Sequence, residues 1–175
     1  MLRFLRRYWP STLRLQLMLI LLPVVGLPII ATGYVLKLRG HEAIVEEKRV
    51  HLQGINVLLG HYLKEHGGYA GLLAGYQGPA NDRDAQIKFL NSRLRDYTDQ
   101  VAKAFPEVGV GYFHLGLNAI ITYGPSAQYD NTVGMTIAAD HPGWKVMSSG
   151  SPMTVSGGQV RGNIMNAMLP VKEDE

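Results

Sequence analysis

The chain has 175 residues, 46% of them hydrophobic and 18% charged, with a formal net charge of only +3. It contains no cysteine, which excludes a disulfide framework, a thiolate metal site and a cysteine nucleophile together. Its Lys and Arg residues are scattered rather than gathered into a stripe, and no aromatic-basic interleaving accompanies them, so nucleic acid is not an expected partner.

Residues 1–14 carry Arg3, Arg6, Arg7 and Arg14 without an acid, and Tyr8 and Trp9 stand where an interfacial aromatic pair belongs. This predicts a cytoplasmic, basic N-terminus against membrane lipid. Lys37, Arg39, Lys48 and Arg49 beyond the apolar segment weaken the asymmetry. From Leu15 to Leu36 the chain reads LQLMLILLPVVGLPIIATGYVL, 22 residues without a charge. A helix of that length spans roughly 33 Å, enough to cross a bilayer. Pro23 and Pro28 flank Gly26 and predict a kink. A cleavable signal peptide is the competing reading, because Ala31-Thr32-Gly33 has the form of a cleavage site, but the apolar run is long for one.

Residues 37–104 are expected to form the helical part of an extracytoplasmic domain and residues 105–175 its sheet part. Between Lys37 and His66, Leu38, Val45, Leu52 and Leu59 recur every seven residues, joined by Ile55 and Tyr62. That periodicity predicts a helix whose apolar seam either pairs with a second copy, giving a homodimer, or packs on its own domain. Gly67-Gly68, Gly71, Gly75, Gly78-Pro79 and Asn81-Asp82 predict a loop or broken helix. A second helix, capped by Asp82 or Asp84, follows, with Ile87, Leu90, Leu94, Tyr97 and Val101 inward and Arg83, Lys88, Arg93, Arg95 and Asp96 in solvent.

From Val108 the period shortens to that of strands. VGVGYFH and NAIITYG, separated by Leu115-Gly116-Leu117, read as a hairpin. GPSAQYDNTVG is expected as a polar loop, then Asp140 caps a short helix with Pro142 in its first turn. Met153–Val155 and Gly162–Val171 read as two further strands joined by a turn at Gly157-Gly158. The fold class expected is α+β.

No H-E-x-x-H pair, nucleophile elbow or Walker loop occurs, so neither a metal, a cofactor nor a catalytic residue is expected. Polar side chains concentrate instead in the sheet half. Tyr112, Tyr123, Ser126 and His141 are candidate ligand-binding residues, since tyrosines on strands bring hydroxyls to an apolar wall. Arg161, beside a strand, has the guanidinium that pairs a carboxylate with two parallel hydrogen bonds. The plain alternative makes Arg161 a surface residue and the tyrosines core.

The strings ITYGPSAQY, TIAADHPG and QVRGNIMNAMLP, within residues 105–171, closely resemble the extracytoplasmic sensor region of bacterial sensor histidine kinases of the acetoacetate-responsive AtoS type. The resemblance implies a Cache-like, PAS-related antiparallel sensor domain in the bacterial inner membrane, binding a small carboxylate and signalling to a cytoplasmic kinase. Asn118 and Asn163 stand where Asp is expected and Trp144 where Arg is expected, which bears on pocket charge and ligand. The chain ends at Glu175 without kinase motifs, and the family's last strand is expected beyond that point. A sensing module without its own catalytic activity is therefore expected. A truncated membrane interaction protein, or a gene remnant without a ligand, is the alternative.

Overall fold

A computed structural model describes residues 13–159 and 162–171. Contacts divide the chain into two units, residues 1–48 and 49–175. Helix α1, Leu13–Glu65, contributes to both and continues through Pro23 and Pro28. In the first unit its apolar run is unburied among the described residues, and it is long and apolar enough to cross a membrane.

The second unit is α+β. After α1 come α2 (Gly68–Leu73), α3 (Arg83–Ala104), strands β1 (Val110–His114) and β2 (Ala119–Gly124), the short helix α4 (Ser126–Tyr129), a 3-10 turn at Asp130–Thr132, α5 (Gly143–Ser149), and strands β3 (Met153–Gln159) and β4 (Gly162–Met168). β1 pairs antiparallel with β2 and β3 with β4. Among the described residues no ladder joins the two hairpins.

α3 starts where the sequence says it should, because the Asp82 carboxylate accepts the Ala85 N–H at 3.0 Å. Its inward line is Ile87, Leu90, Leu94, Thr98 and Val101, so a threonine takes a core position and Tyr97 is displaced sideways. There the Tyr97 ring stacks on Tyr62 of α1, with centroids 3.7 Å apart. Ile55, Leu59 and Leu63 of α1 join the same core, with Tyr69 and Leu72 of α2. The lower half of the seven-residue seam is thus taken up by the chain's own domain, with Leu59 buried and Leu52 half-buried, while Val45 and Leu38 are exposed. Leu63, Leu90, Leu94 and Ile121 are fully buried, each worth about 1.5–3 kcal/mol over an exposed position.

The hairpin carries a bulge. Tyr112 pairs with Thr122 but Phe113 pairs with Ile120, leaving Ile121 without a partner across the ladder. Ile121 and Thr122 consequently both face the helices and are fully buried. The Asn91 amide donates to the Ile121 carbonyl at 2.8 Å, supplying the partner the interrupted ladder does not. The Thr122 and Thr98 hydroxyls meet at 3.0 Å. β2 lies so close to α3 that a Cβ at Gly124 would stand 2.5 Å from the Thr98 carbonyl oxygen.

Several elements depart from expectation. α4 lies inside the predicted polar loop, as a single helical turn too short to carry a readable period, whereas α2 fits the expectation of a loop or broken helix in its region. Gly157 and Gly158 pair with Ile164 and Asn163 inside the β3–β4 ladder rather than making the turn. Arg83 is exposed as expected, but it also donates to the carbonyls of Leu117 (2.8 Å), Asn118 (3.3 Å) and Gly134 (3.2 Å), tying the hairpin loop to the start of α3. The N-cap position of α5 is Pro142 rather than Asp140.

The threonine pair gives an asymmetric test. Thr98 donates its hydroxyl hydrogen to the Arg95 carbonyl at 2.9 Å, so toward Thr122 it can only accept. Thr98→Val orphans the buried Thr122 hydroxyl and should cost about 1–3 kcal/mol. Thr122→Val leaves Thr98 bonded and should cost less; denaturant unfolding of both variants in one detergent checks the order.

Candidate functional site

Alternation and the bulge divide the hairpin into two faces. Val110, Tyr112, Ala119, Ile121, Thr122 and Gly124 are buried toward the helices. Gly111, Phe113, Ile120 and Tyr123 form the other face, over which the chain from Pro125 to Gly150 returns. Gly134 N–H donates to the Ile120 carbonyl and Ile120 N–H to the Met135 carbonyl, both at 2.8 Å, fixing that return beside β2.

Two aromatic pairs line this outer face. The Trp144 ring of α5 meets Phe113 edge-on with centroids 5.9 Å apart, and Tyr129 of α4 meets Tyr123 edge-on at 5.3 Å. Gly111 is opposite Tyr123 in the ladder, and a Cβ there would lie 3.0 Å from Tyr123 Cδ2 and 2.6 Å from the Thr122 carbonyl oxygen. The tyrosine ring therefore lies across a strand position that only glycine fills without displacement. Trp144 Nε1 donates to the Ala138 carbonyl at 2.9 Å, anchoring the indole.

The sequence candidates separate. Tyr112 is on the inner face, where its hydroxyl donates to the Leu59 carbonyl at 2.7 Å. Burial pushes that phenol well above the ordinary tyrosine range, so it stays a donor. Ser126 is buried against α3: its N–H and hydroxyl donate to the two Asp99 carboxylate oxygens at 2.6 and 2.5 Å, and Arg95 Nε donates to its Oγ at 3.1 Å. Of the three candidates on the strands and α4, Tyr123 alone faces outward with the aromatic pairs. His141 is half-buried at the start of α5, and its Nδ1 accepts the Gly143 N–H at 3.0 Å. Arg161 lies outside the described residues. Phe113 and Tyr129 join the outer face without having been named as site residues, together with Trp144, which the resemblance had already tied to pocket charge. Their chemistry was readable in the sequence, but nothing in it said which face of the hairpin they meet.

Among the described residues no three His, Asp or Glu side chains converge as a metal site would require. What the outer face offers is aromatic surface, built from the Phe113–Trp144 and Tyr123–Tyr129 pairs.

The AtoS N-terminal domain family matches residues 14–175, and the chain belongs to that family. It is 38% identical over 172 residues to the signal transduction histidine-protein kinase AtoS of Escherichia coli (strain K12). That alignment takes in 98% of this chain but 27% of the relative, so the chain spans about a quarter of the kinase's length. No solved structure matches.

His141 gives a pH test. Burial holds its imidazole below the ordinary histidine range, with Asp140 acting in the opposite sense. Protonating Nδ1 would also break its bond to Gly143. The folded state binds fewer protons here than the unfolded state, so the stabilisation is complete above roughly pH 6.5 and is lost as pH falls toward the folded value. His141→Gln should flatten the stability curve between about pH 7 and pH 5. In an NMR titration the His141 ring should protonate at lower pH than a free histidine peptide.

Proposed function

We propose that this chain is the ligand-sensing part of a two-component sensor histidine kinase, held in the cytoplasmic membrane by residues 15–36, with residues 37–175 outside the cytoplasm. The observation that carries the reading is that nearly the whole chain aligns with the N-terminal quarter of a kinase whose stated role is signal transduction. The apolar run in α1 and its basic flank support the anchor and its orientation. The antiparallel hairpins beside a helical layer support a Cache-like, PAS-related domain.

The ligand in this reading is a small carboxylate. It rests on the outer face of β1–β2 near Tyr123 and His141, with the Arg161 guanidinium as its counter-charge. Tyr112 and Ser126 act indirectly, since their hydroxyls are engaged by Leu59 and Asp99. Binding shifts the population between two arrangements of α1, the element that continues into the membrane segment. Catalysis belongs to the kinase that receives the signal.

Two experiments test this. Alkaline phosphatase fused after Gly67 should be active in a bacterial host, and a fusion active only with a cytoplasmic reporter contradicts the orientation. Calorimetry of the full chain in nanodiscs against acetate, acetoacetate and succinate should register binding of at least one. Arg161→Ala should weaken that binding roughly 10-fold or more, the worth of a charge-assisted hydrogen bond, with an unchanged melting temperature. Arg161→Lys should recover only part of it, because the ammonium lacks the two-pronged geometry. Parent-like affinity in Arg161→Ala removes that residue from the site.

A further inference from the structure

From Ile137 to Ser149 the chain passes over the hairpin, turns, and runs through α5. Among the described residues, every hydrogen bond of this stretch stays inside it or goes to Thr136, Gly150 or Ser151 beside it. The Ala138 carbonyl accepts twice, from the His141 N–H and from the Trp144 indole, each at 2.9 Å. The His141 imidazole accepts the Gly143 N–H. The same imidazole and Ile137 close on Gly143, where a Cβ would stand 2.9 Å from His141 Nδ1 and 3.2 Å from Ile137 Cδ1. Residues 137–149 are thus bonded to themselves. What holds them down is side-chain packing: Val146 is buried, and the Trp144 ring meets Phe113 edge-on.

Each end of the stretch has a fixed point and a glycine. On the near side, Ile120 is bonded to Gly134 and Met135, and Thr136 Oγ1 donates to Asn118 Oδ1 at 2.6 Å. On the far side, β3 begins at Met153 in its ladder with β4. Between the fixed points and the stretch stand Gly134, with φ +85°, and Gly150, with φ +63°, both left-handed. A Cβ at Gly134 would meet nothing within 4 Å, so the backbone conformation and not close packing calls for glycine there.

Segments open by themselves when few buried contacts and no hydrogen bonds tie them to the rest of a fold. A stretch that is bonded internally and docked through two side chains keeps its shape as it opens, and rotation at its two ends absorbs the movement. The surface it leaves behind is the Phe113 end of the outer face. Phe113 and Ile120 are opposite each other in the ladder there, and both are half-buried.

We propose that residues 137–149 form a lid over the Phe113 end of the outer face, which opens as one piece about Gly134 and Gly150 and is latched by Trp144. A small molecule reaches Phe113 and Ile120 through the open state. The lid deepens the sensing reading, which puts a ligand on this face, but its opening is measurable without any ligand.

The test is amide exchange in the full chain in nanodiscs. The Lys145, Val146 and Gly150 amides, all bonded within α5, should exchange together and faster than those of Ile120 and Gly134, which hold the hinge. Trp144→Ala should speed the three α5 amides by about 10-fold, the size expected from losing an aromatic pair and its buried area. Phe113→Ala, which removes the other half of the latch, should speed the same three. Ile120 and Gly134 should keep their protection in both variants. Access is read separately, since the chain has no cysteine of its own. N-ethylmaleimide should modify Ile120→Cys faster once Trp144→Ala or Phe113→Ala is added, and should modify the exposed Met135→Cys at one rate throughout. Parent-like α5 exchange in both latch variants would overturn the proposal. So would an Ile120 amide that speeds up with Val146, because the whole return would then be unfolding. If either latch variant fails to fold, the parent alone decides: α5 amides as protected as those of Ile120 and Gly134 mean there is no lid. A chain that opens in this way yet binds no carboxylate by calorimetry keeps its lid and loses the proposed ligand.

Discussion

At Ile121, β2 gains one residue over its partner strand, and the two faces of the hairpin follow from that insertion. Without it, strict alternation from Ala119 and Ile121 would place Tyr123 against the helices and Thr122 outside. With it, Ile121 and Thr122 turn inward together, Gly124 lies against the Thr98 carbonyl, and Tyr123 faces out toward Tyr129. α3 supplies what holds the bulge in place: the Asn91 amide on the Ile121 carbonyl and the Thr98 hydroxyl on Thr122. These are buried polar contacts, so their loss would leave unsatisfied groups rather than merely weaken a surface bond. The outer aromatic face is therefore specified from the other side of the hairpin, by polar residues of α3.

This explains which parts of the molecule were legible in the sequence. α1, α3 and the first hairpin announce themselves by period, because a continuous apolar face must be buried and only one periodicity buries it. The helical turn α4 does not, since four residues cannot carry a helical period, and the glycines around α2 left its region open between a loop and a broken helix. Glycines also misplaced the second turn: Gly157 and Gly158 are paired strand residues. Arg83 was read by polarity alone, yet it bonds three carbonyls, and Thr98, outside the expected apolar line, is a core residue. The Arg83 bonds and the Thr98–Thr122 contact join residues far apart in sequence, which composition and spacing do not encode.

The candidate site divides along the same line. Tyr112 and Tyr123 are equivalent to any rule that counts tyrosines on strands, and they end on opposite faces because of the single extra residue at Ile121. Ser126 looked like an open hydroxyl, but Asp99, a full 27 positions earlier, accepts both its N–H and its O–H. The family, by contrast, was legible from contiguous strings such as ITYGPSAQY, because relatedness is written in order along the chain and contacts are not.

A single-layer hairpin also bounds how the outer face can influence α1. Tyr123 lies across Gly111, and the next residue of that strand, Tyr112, extends to the other side and donates to the Leu59 carbonyl of α1. Only one peptide separates the strand position under the outer ring from the residue bonded to the helix. The phenol stays protonated, so this link is a permanent donor rather than one that titrates away. On the proposed sensing role, a ligand that moves the Tyr123 ring acts on the backbone at Gly111, and the displacement reaches α1 through Tyr112 before any longer route. A ligand that contacts the outer face equally in both arrangements of the hairpin would shift nothing, however tightly it bound. On the proposed sensing role, the ligand must therefore hold Tyr123 differently in the two arrangements.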